Sequence, residues 1–94
     1  MEKFPTLINQ GVVLLRAESK TGHVLDENFK LAINDTQKVF TVFKSIQEAL
    51  VYSRDVMKQR HDVECVLFDI RQNPIVNFRT LNEAIDYTDK LSVK

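Results

Sequence analysis

The residues of this chain that could carry covalent or acid–base chemistry are few. Its two histidines, His23 and His61, belong to no recognised metal-ligand or catalytic-triad spacing. The single cysteine, Cys65, lies within an apolar run, and this setting predicts a buried, inert thiol. We therefore predict no catalytic residue and expect that the protein is not an enzyme.

Acidic side chains offer two further kinds of chemistry, cation binding and paired acid–base catalysis. Asp26, Glu27 and Asp35 fall in predicted loops, but their spacing lacks the ligand alternation and the glycine of a calcium loop. We therefore expect these three loop carboxylates to be solvated. Glu48 and Glu83 each complete an S/T-x-x-E pattern, which is typical of helix capping. The sequence therefore predicts no metal site and no cofactor.

One basic cluster remains, at the end of a predicted helix. Arg54 and Lys58 are spaced to share one exposed helix face, and Arg60 follows them. Asp55 and Asp62 lie nearby, so a solvated face is the first interpretation. The alternative is contact with nucleic acid through Arg54, Lys58 and Arg60, because a phosphate-binding surface can be local.

The composition favours one ordinary folded domain over residues 1–94. The chain is 44% hydrophobic and 28% charged, a balance that supports a single hydrophobic core. Its 13 basic and 13 acidic residues cancel, so no overall positive field draws it to nucleic acid or to an anionic membrane. With one cysteine and no apolar segment long enough for a membrane span, we expect a cytoplasmic protein that contacts no membrane.

Hydrophobic periodicity predicts an α+β fold. Helices are expected to start at Ser45 and Thr80, each with a glutamate as capping partner. Residues 29–34 and 39–43 are expected to form a hairpin, and residues 63–70 a central strand. The predicted architecture is a mainly antiparallel sheet of about five strands with two helices on one face. The remaining predicted strands are residues 12–17 and 75–78, with a brief pairing at Val24 and Leu25.

Residues 43–56 resemble residues 78–91 position by position. The identical pairs are Phe43 with Phe78, Glu48 with Glu83, Ala49 with Ala84 and Tyr52 with Tyr87. Convergence explains part of this agreement, because any strand that runs into a capped amphipathic helix favours Ser or Thr, then an apolar residue, then Glu. Capping does not require the shared phenylalanine or the shared tyrosine.

We therefore favour duplication of a strand–strand–helix unit. The two copies would cover approximately residues 29–60 and 64–94, and an extra strand would precede them. The string Phe43–Ala49 after a hairpin is similar to the short strand–strand–helix modules found beside homing endonucleases. That resemblance implies a module that assists DNA binding.

The predicted sheet has one face that the helices do not cover, because a helix is about 10 Å across and two helices cover one side of such a sheet. Several strands are apolar on both sides, and monomers rarely expose apolar patches beyond a few hundred Å². We expect a homodimer that buries Val13, Leu15, Phe40 and Val42. The alternatives are cover by residues 1–10 or by another protein. The favoured function is thus a small non-enzymatic protein-interaction domain that self-associates through its sheet, with a nucleic-acid accessory module as the alternative.

Overall fold

The computed structural model describes residues 2–6 and 11–92 of the chain, which form an α+β fold. Its elements are β1 (Val12–Glu18), β2 (Val24–Leu25), β3 (Phe40–Phe43), α1 (Ile46–Gln59), β4 (Val63–Phe68), β5 (Pro74–Phe78) and α2 (Leu81–Ser92). Every strand pair is antiparallel. The predicted fold class is therefore confirmed. Neither described helix combines the length and the hydrophobicity needed to cross a membrane.

The sheet is organised around two central strands, β1 and β4. They pair along their length, from Val13 opposite Phe68 to Glu18 opposite Val63. On one side β5 flanks β4, and on the other β3 and β2 both flank β1. The predicted central strand at residues 63–70 is confirmed, and it ends two residues early, at Phe68.

One predicted strand pairing is wrong, the hairpin between residues 29–34 and 39–43. In the structure β3 pairs with β1 instead, and Leu31 makes only an isolated bridge to Leu25. Leu31 and Ile33 are 45% and 80% exposed. The alternation of apolar and polar residues there fits a strand locally, but it does not specify the partner, and β3 pairs instead with β1, whose first three residues are buried.

The hydrophobic core lies between the helices and one face of the sheet. Along β4 buried and half-buried residues alternate, as expected when one strand face meets the helices. The core residues of the sheet include Val12, Leu14, Val63, Cys65, Leu67 and Phe78. The buried residues of α1 are Ala49, Leu50, Ser53, Val56 and Met57.

The predicted helix caps form at both helix starts. The hydroxyl oxygens of Ser45 and Thr80 accept the amides of Glu48 and Glu83, each at 3.3 Å. In α2 the Glu83 carboxylate reaches back to the amide of Thr80 at 3.0 Å. In α1 the Glu48 carboxylate accepts the amide of Lys44 at 3.1 Å, whereas the capping pattern predicts the amide of the next residue, Ser45. Both helices therefore begin where the S/T-x-x-E pattern places them.

The two strand-to-helix segments also make matching aromatic contacts. The rings of Phe43 and Tyr52 have centroids 5.4 Å apart, and those of Phe78 and Tyr87 are 5.6 Å apart. In the first segment, however, the strand paired with β3 is β1, which lies outside the predicted unit at residues 29–60. Duplication of a strand–strand–helix unit stays a prediction.

Candidate functional site

The sheet face opposite the helices is partly covered by the N-terminal segment, residues 2–6. The ring of Phe4 meets those of Phe40 and Phe68 edge-on, with centroids 5.3 and 5.8 Å away. Oε1 of Glu2 accepts two backbone amides around the start of β3, at 2.9 and 3.0 Å. Ring packing and hydrogen bonds thus both hold this segment against the sheet.

The four predicted interface residues differ in the surface they expose. Val13 is 0% exposed within the chain, so it has no area to give to a partner. Leu15 and Phe40 are half-buried, whereas Val42 is 50% exposed. Of these four residues, Val42 is the best placed to contact a second molecule.

The residues considered for nucleophilic or metal chemistry do not converge. Cys65 is 0% exposed, and burial raises the pKa of its thiol to about 11, against the opposing effects of Ser53 and Arg16. The thiol is therefore protonated at neutral pH and a poor nucleophile. His23 and His61 are both exposed. Within residues 2–6 and 11–92, no group of three or more His, Cys, Asp and Glu side chains could hold a metal ion.

Asp26 is not the solvated loop carboxylate that the sequence suggests, because it is 5% exposed. Its Oδ1 accepts the amides of Asn28 and Lys30 at 2.8 and 3.0 Å, and its Oδ2 accepts Nε2 of Gln37 at 2.7 Å. The Gln37 hydrogen bond, followed by the backbone amides, lowers the pKa of Asp26. The turn also holds Phe29 at φ 64°, a conformation rare for a bulky side chain. Of the other two predicted loop carboxylates, Glu27 and Asp35 are both exposed.

Gln37 fixes the tip of the connection between β2 and β3. Its Oε1 accepts the amides of Ile33 and Asn34 at 2.7 and 2.8 Å, and its Nε2 donates to the carbonyl of Leu31 at 2.9 Å. The Gln37 side chain thus links three backbone groups of the tip, where Leu31 and Ile33 are 45% and 80% exposed.

A buried arginine, Arg16, contacts the long connection from β1 to β3, residues 19–39, which contains β2. No sequence motif singles this arginine out. Its side chain is 0% exposed. It donates to four neutral oxygens, the carbonyls of Asp26 (3.1 Å) and Val39 (3.0 Å) and the hydroxyls of Thr41 (2.7 Å) and Tyr52 (3.1 Å). Arg16 therefore ties β1 to the long connection, to β3 and to α1, with its charge stabilised by hydrogen bonds to uncharged groups.

The three residues predicted to contact nucleic acid lie in three different environments. Lys58 is exposed. Arg54 is half-buried, and within the described residues its buried Nε has no hydrogen-bond partner. The guanidinium of Arg60 lies over the ring of Phe29, 4.6 Å from the centroid. Arg60 is therefore already engaged in a cation–π contact.

Arg60 also lines a cleft between the end of α1 and the start of α2. The cavity measures about 210 Å³ and is lined by Met57, Arg60, His61, Val63, Arg79, Thr80 and Leu81. Two of these side chains are arginines and one is a histidine. The spacing along the chain did not reveal this group, because Arg79 reaches the other two only through the packing of α2 beside α1.

The sequence matches no protein-family model, and the comparisons with curated proteins and with solved structures give no match either. The function is therefore inferred from the geometry of the chain itself.

Proposed function

We propose that this chain is a small, non-enzymatic, cytoplasmic interaction domain that self-associates through its sheet. The supporting observation is the uneven cover of the face opposite the helices. Phe4 packs on Phe40 and Phe68 there, whereas Val42, two residues after Phe40 on the same strand, is 50% exposed. A second copy related by a two-fold axis would bury the exposed apolar surface at Val42 of one copy against the same surface of the other.

The environment of β3, an edge strand, favours self-association through the sheet face over the addition of a further strand at this edge. Among the described strands β3 pairs with β1 alone, and edge strands present unpaired backbone groups that attract other strands. Glu2 already binds two amides around the start of β3. This edge is thus blocked in part, and the face is the more accessible apolar surface.

We also infer that the two strand-to-helix segments are copies of a duplicated unit. Their caps have the same length of 3.3 Å, and their phenylalanine–tyrosine ring distances differ by only a few tenths of an ångström. Ser53 and Thr88 donate to the carbonyls of Ala49 and Ala84, both at 2.8 Å. The agreement extends beyond the residues that capping alone requires.

Sedimentation of the wild type and of Val42→Asp tests the self-association. The wild type is expected to be a dimer at micromolar concentration, and Val42→Asp a monomer, because an unpaired carboxylate in a dry interface costs several kcal/mol. Val51→Asp is the matched control, since Val51 is 55% exposed on α1, and this variant should remain dimeric. A wild type that stays monomeric at all accessible concentrations contradicts the proposal, as does dissociation by Val51→Asp alone.

The second candidate function is a nucleic-acid accessory module. The observation in its favour is that Arg60 shares a cleft with His61 and Arg79, although Arg54 and Lys58 do not line that cleft. Binding of DNA or RNA that weakens with added salt would support it. Binding that is absent at low salt would leave the interaction domain as the favoured function.

A further inference from the structure

Two arginines and a histidine from two separate parts of the chain line one cleft. Arg60 and His61 follow the last residue of α1, whereas Arg79 directly precedes Thr80, the cap of α2. The cavity measures about 210 Å³, and a water molecule takes about 30 Å³ of liquid volume. The cleft therefore has room for one tetrahedral oxyanion with a few waters, and it is small for a large cofactor.

The two charged residues that line this cleft, Arg60 and Arg79, are both arginines, and the Glu83 carboxylate lies beside them on the amides of Arg79 and Thr80. No acidic side chain among the described residues lines the cleft itself, although the net charge of the chain is zero. Met57 and Val63 also line it and are only 2% and 1% exposed. An apolar floor of this kind lowers the local dielectric and strengthens the attraction between the cations and an anion.

Arg60 is held in place before any ligand arrives. Its guanidinium lies 4.6 Å from the centroid of the Phe29 ring, and the backbone of Phe29 is fixed by the turn that Asp26 organises. A guanidinium that is already positioned loses less conformational entropy on binding. Its planar set of donors also matches two oxygens of one phosphate group.

The backbone at the start of α2 contributes little to this cleft. The Glu83 carboxylate accepts the amides of Arg79 and Thr80 at 2.8 and 3.0 Å, so these amides are not available to a ligand. Recognition would therefore rest on the side chains. From the two arginines and the histidine that line it, we propose that the cleft of Arg60, His61 and Arg79 binds a single phosphate group, carried by a small phosphate ester or by a nucleic-acid strand.

A ¹H–¹⁵N NMR titration of the full chain with inorganic phosphate tests this proposal, with chloride used to hold the ionic strength constant. Saturable shifts are expected at the amides of residues 60–63 and 79–82. Arg79→Gln should weaken the affinity about tenfold, because hydrogen bonds to charged groups are among the stronger ones. Arg71→Gln is the matched control, since Arg71 is an exposed arginine in the turn between β4 and β5, and its affinity should equal that of the wild type.

Two oligonucleotides of one sequence, with and without a 5′-phosphate, separate the sources of the phosphate group. Stronger binding of the phosphorylated strand assigns the cleft to terminal phosphates, and equal binding assigns it to the phosphodiester backbone. Shifts with inorganic phosphate alone indicate a small phosphate ester. Shifts that spread evenly over the chain, or that are unchanged in Arg79→Gln, overturn the proposal. This outcome is independent of sedimentation, which reports on the sheet face.

Discussion

Two turns of this protein share one backbone design in different surroundings. In residues 26–30 and in residues 69–73, Oδ1 of the first residue, Asp26 or Asp69, accepts the amides two and four residues later at 2.8 to 3.0 Å. The fourth residue of each turn has a φ of 64° or 65°. An aspartate at the first position thus closes a left-handed turn without glycine in both places.

The surroundings of the two turns differ. The Asp69 turn joins β4 directly to β5 and lies at the surface. The Asp26 turn lies within residues 19–39, the long connection from β1 to β3, where Gln37 binds its carboxylate and Arg16 binds its carbonyl. A short connection is thus closed by its own aspartate, whereas a long one needs tertiary contacts to hold it in one conformation.

The largest effect is expected from Arg16→Met. The carbonyls of Asp26 and Val39 would lose a buried donor, and the part-buried hydroxyls of Thr41 and Tyr52 would also lose theirs. Because each unsatisfied buried group costs about 1 to 3 kcal/mol, the free energy of unfolding should fall by about 3 kcal/mol or more. Urea denaturation measures this change. Arg16→Lys should be intermediate, because one ammonium cannot reproduce the spread of the guanidinium donors.

The matched control for Arg16 is Arg71→Met, in the short turn, which should change the free energy of unfolding by less than about 0.5 kcal/mol. If Arg16→Met also costs less than about 1 kcal/mol, Arg16 does not organise the long connection, and the contrast between the two turns loses its physical basis.

The second comparison uses Asp26→Asn and Asp69→Asn. At position 26 the new amide would place an NH₂ group against Nε2 of Gln37, so that a donor faces a donor. We therefore expect Asp26→Asn to lower the melting temperature more than Asp69→Asn at pH 7. Equal melting temperatures of the two variants would show that Gln37 adds nothing to the first turn.

The stability of the same two variants should depend on pH differently from that of the wild type. The pKa of Asp26 is lowered chiefly by Gln37, and that of Asp69 chiefly by the amide of Asn73. Because both folded-state pKa values lie below the ordinary value of 3.8, each carboxylate stabilises the fold above that pH, and the stabilisation is lost as the pH falls through the folded-state pKa. Each variant should therefore lose less stability in acid than the wild type does, and identical acid profiles would contradict this.

Sequence patterns predicted the local features and the general architecture of the fold and missed particular long-range contacts. The helix starts at Ser45 and Thr80 are confirmed because the capping bonds form within one helical turn. The partner of β3 was predicted wrongly, because strand pairing depends on which apolar strand is available elsewhere in the chain. The brief pairing of Val24 and Leu25 with β1 is confirmed.

Arg16 could have been found in part. The two-residue period of β1 places it on the same face as Val12 and Leu14, which both belong to the core. The sequence does not reveal its acceptors, because they come from the loop, β3 and α1. The cleft of Arg60 and Arg79 was missed for the same reason, since the two residues come together only in the folded chain.

The smallest effect is expected from the N-caps of α1 and α2, a feature that the two strand-to-helix segments share. Ser45→Ala and Thr80→Ala should each lower the free energy of unfolding by about 0.5 to 2 kcal/mol, as lost N-caps do. The two losses should be similar, because each hydroxyl accepts a glutamate amide at 3.3 Å. Urea denaturation of both variants measures them. Unchanged stability in both would mean that the caps contribute nothing. A large difference between the two losses in free energy of unfolding would mean that the two strand-to-helix segments differ at their helix starts as well as in their connections. That result would weaken the case for a duplicated unit.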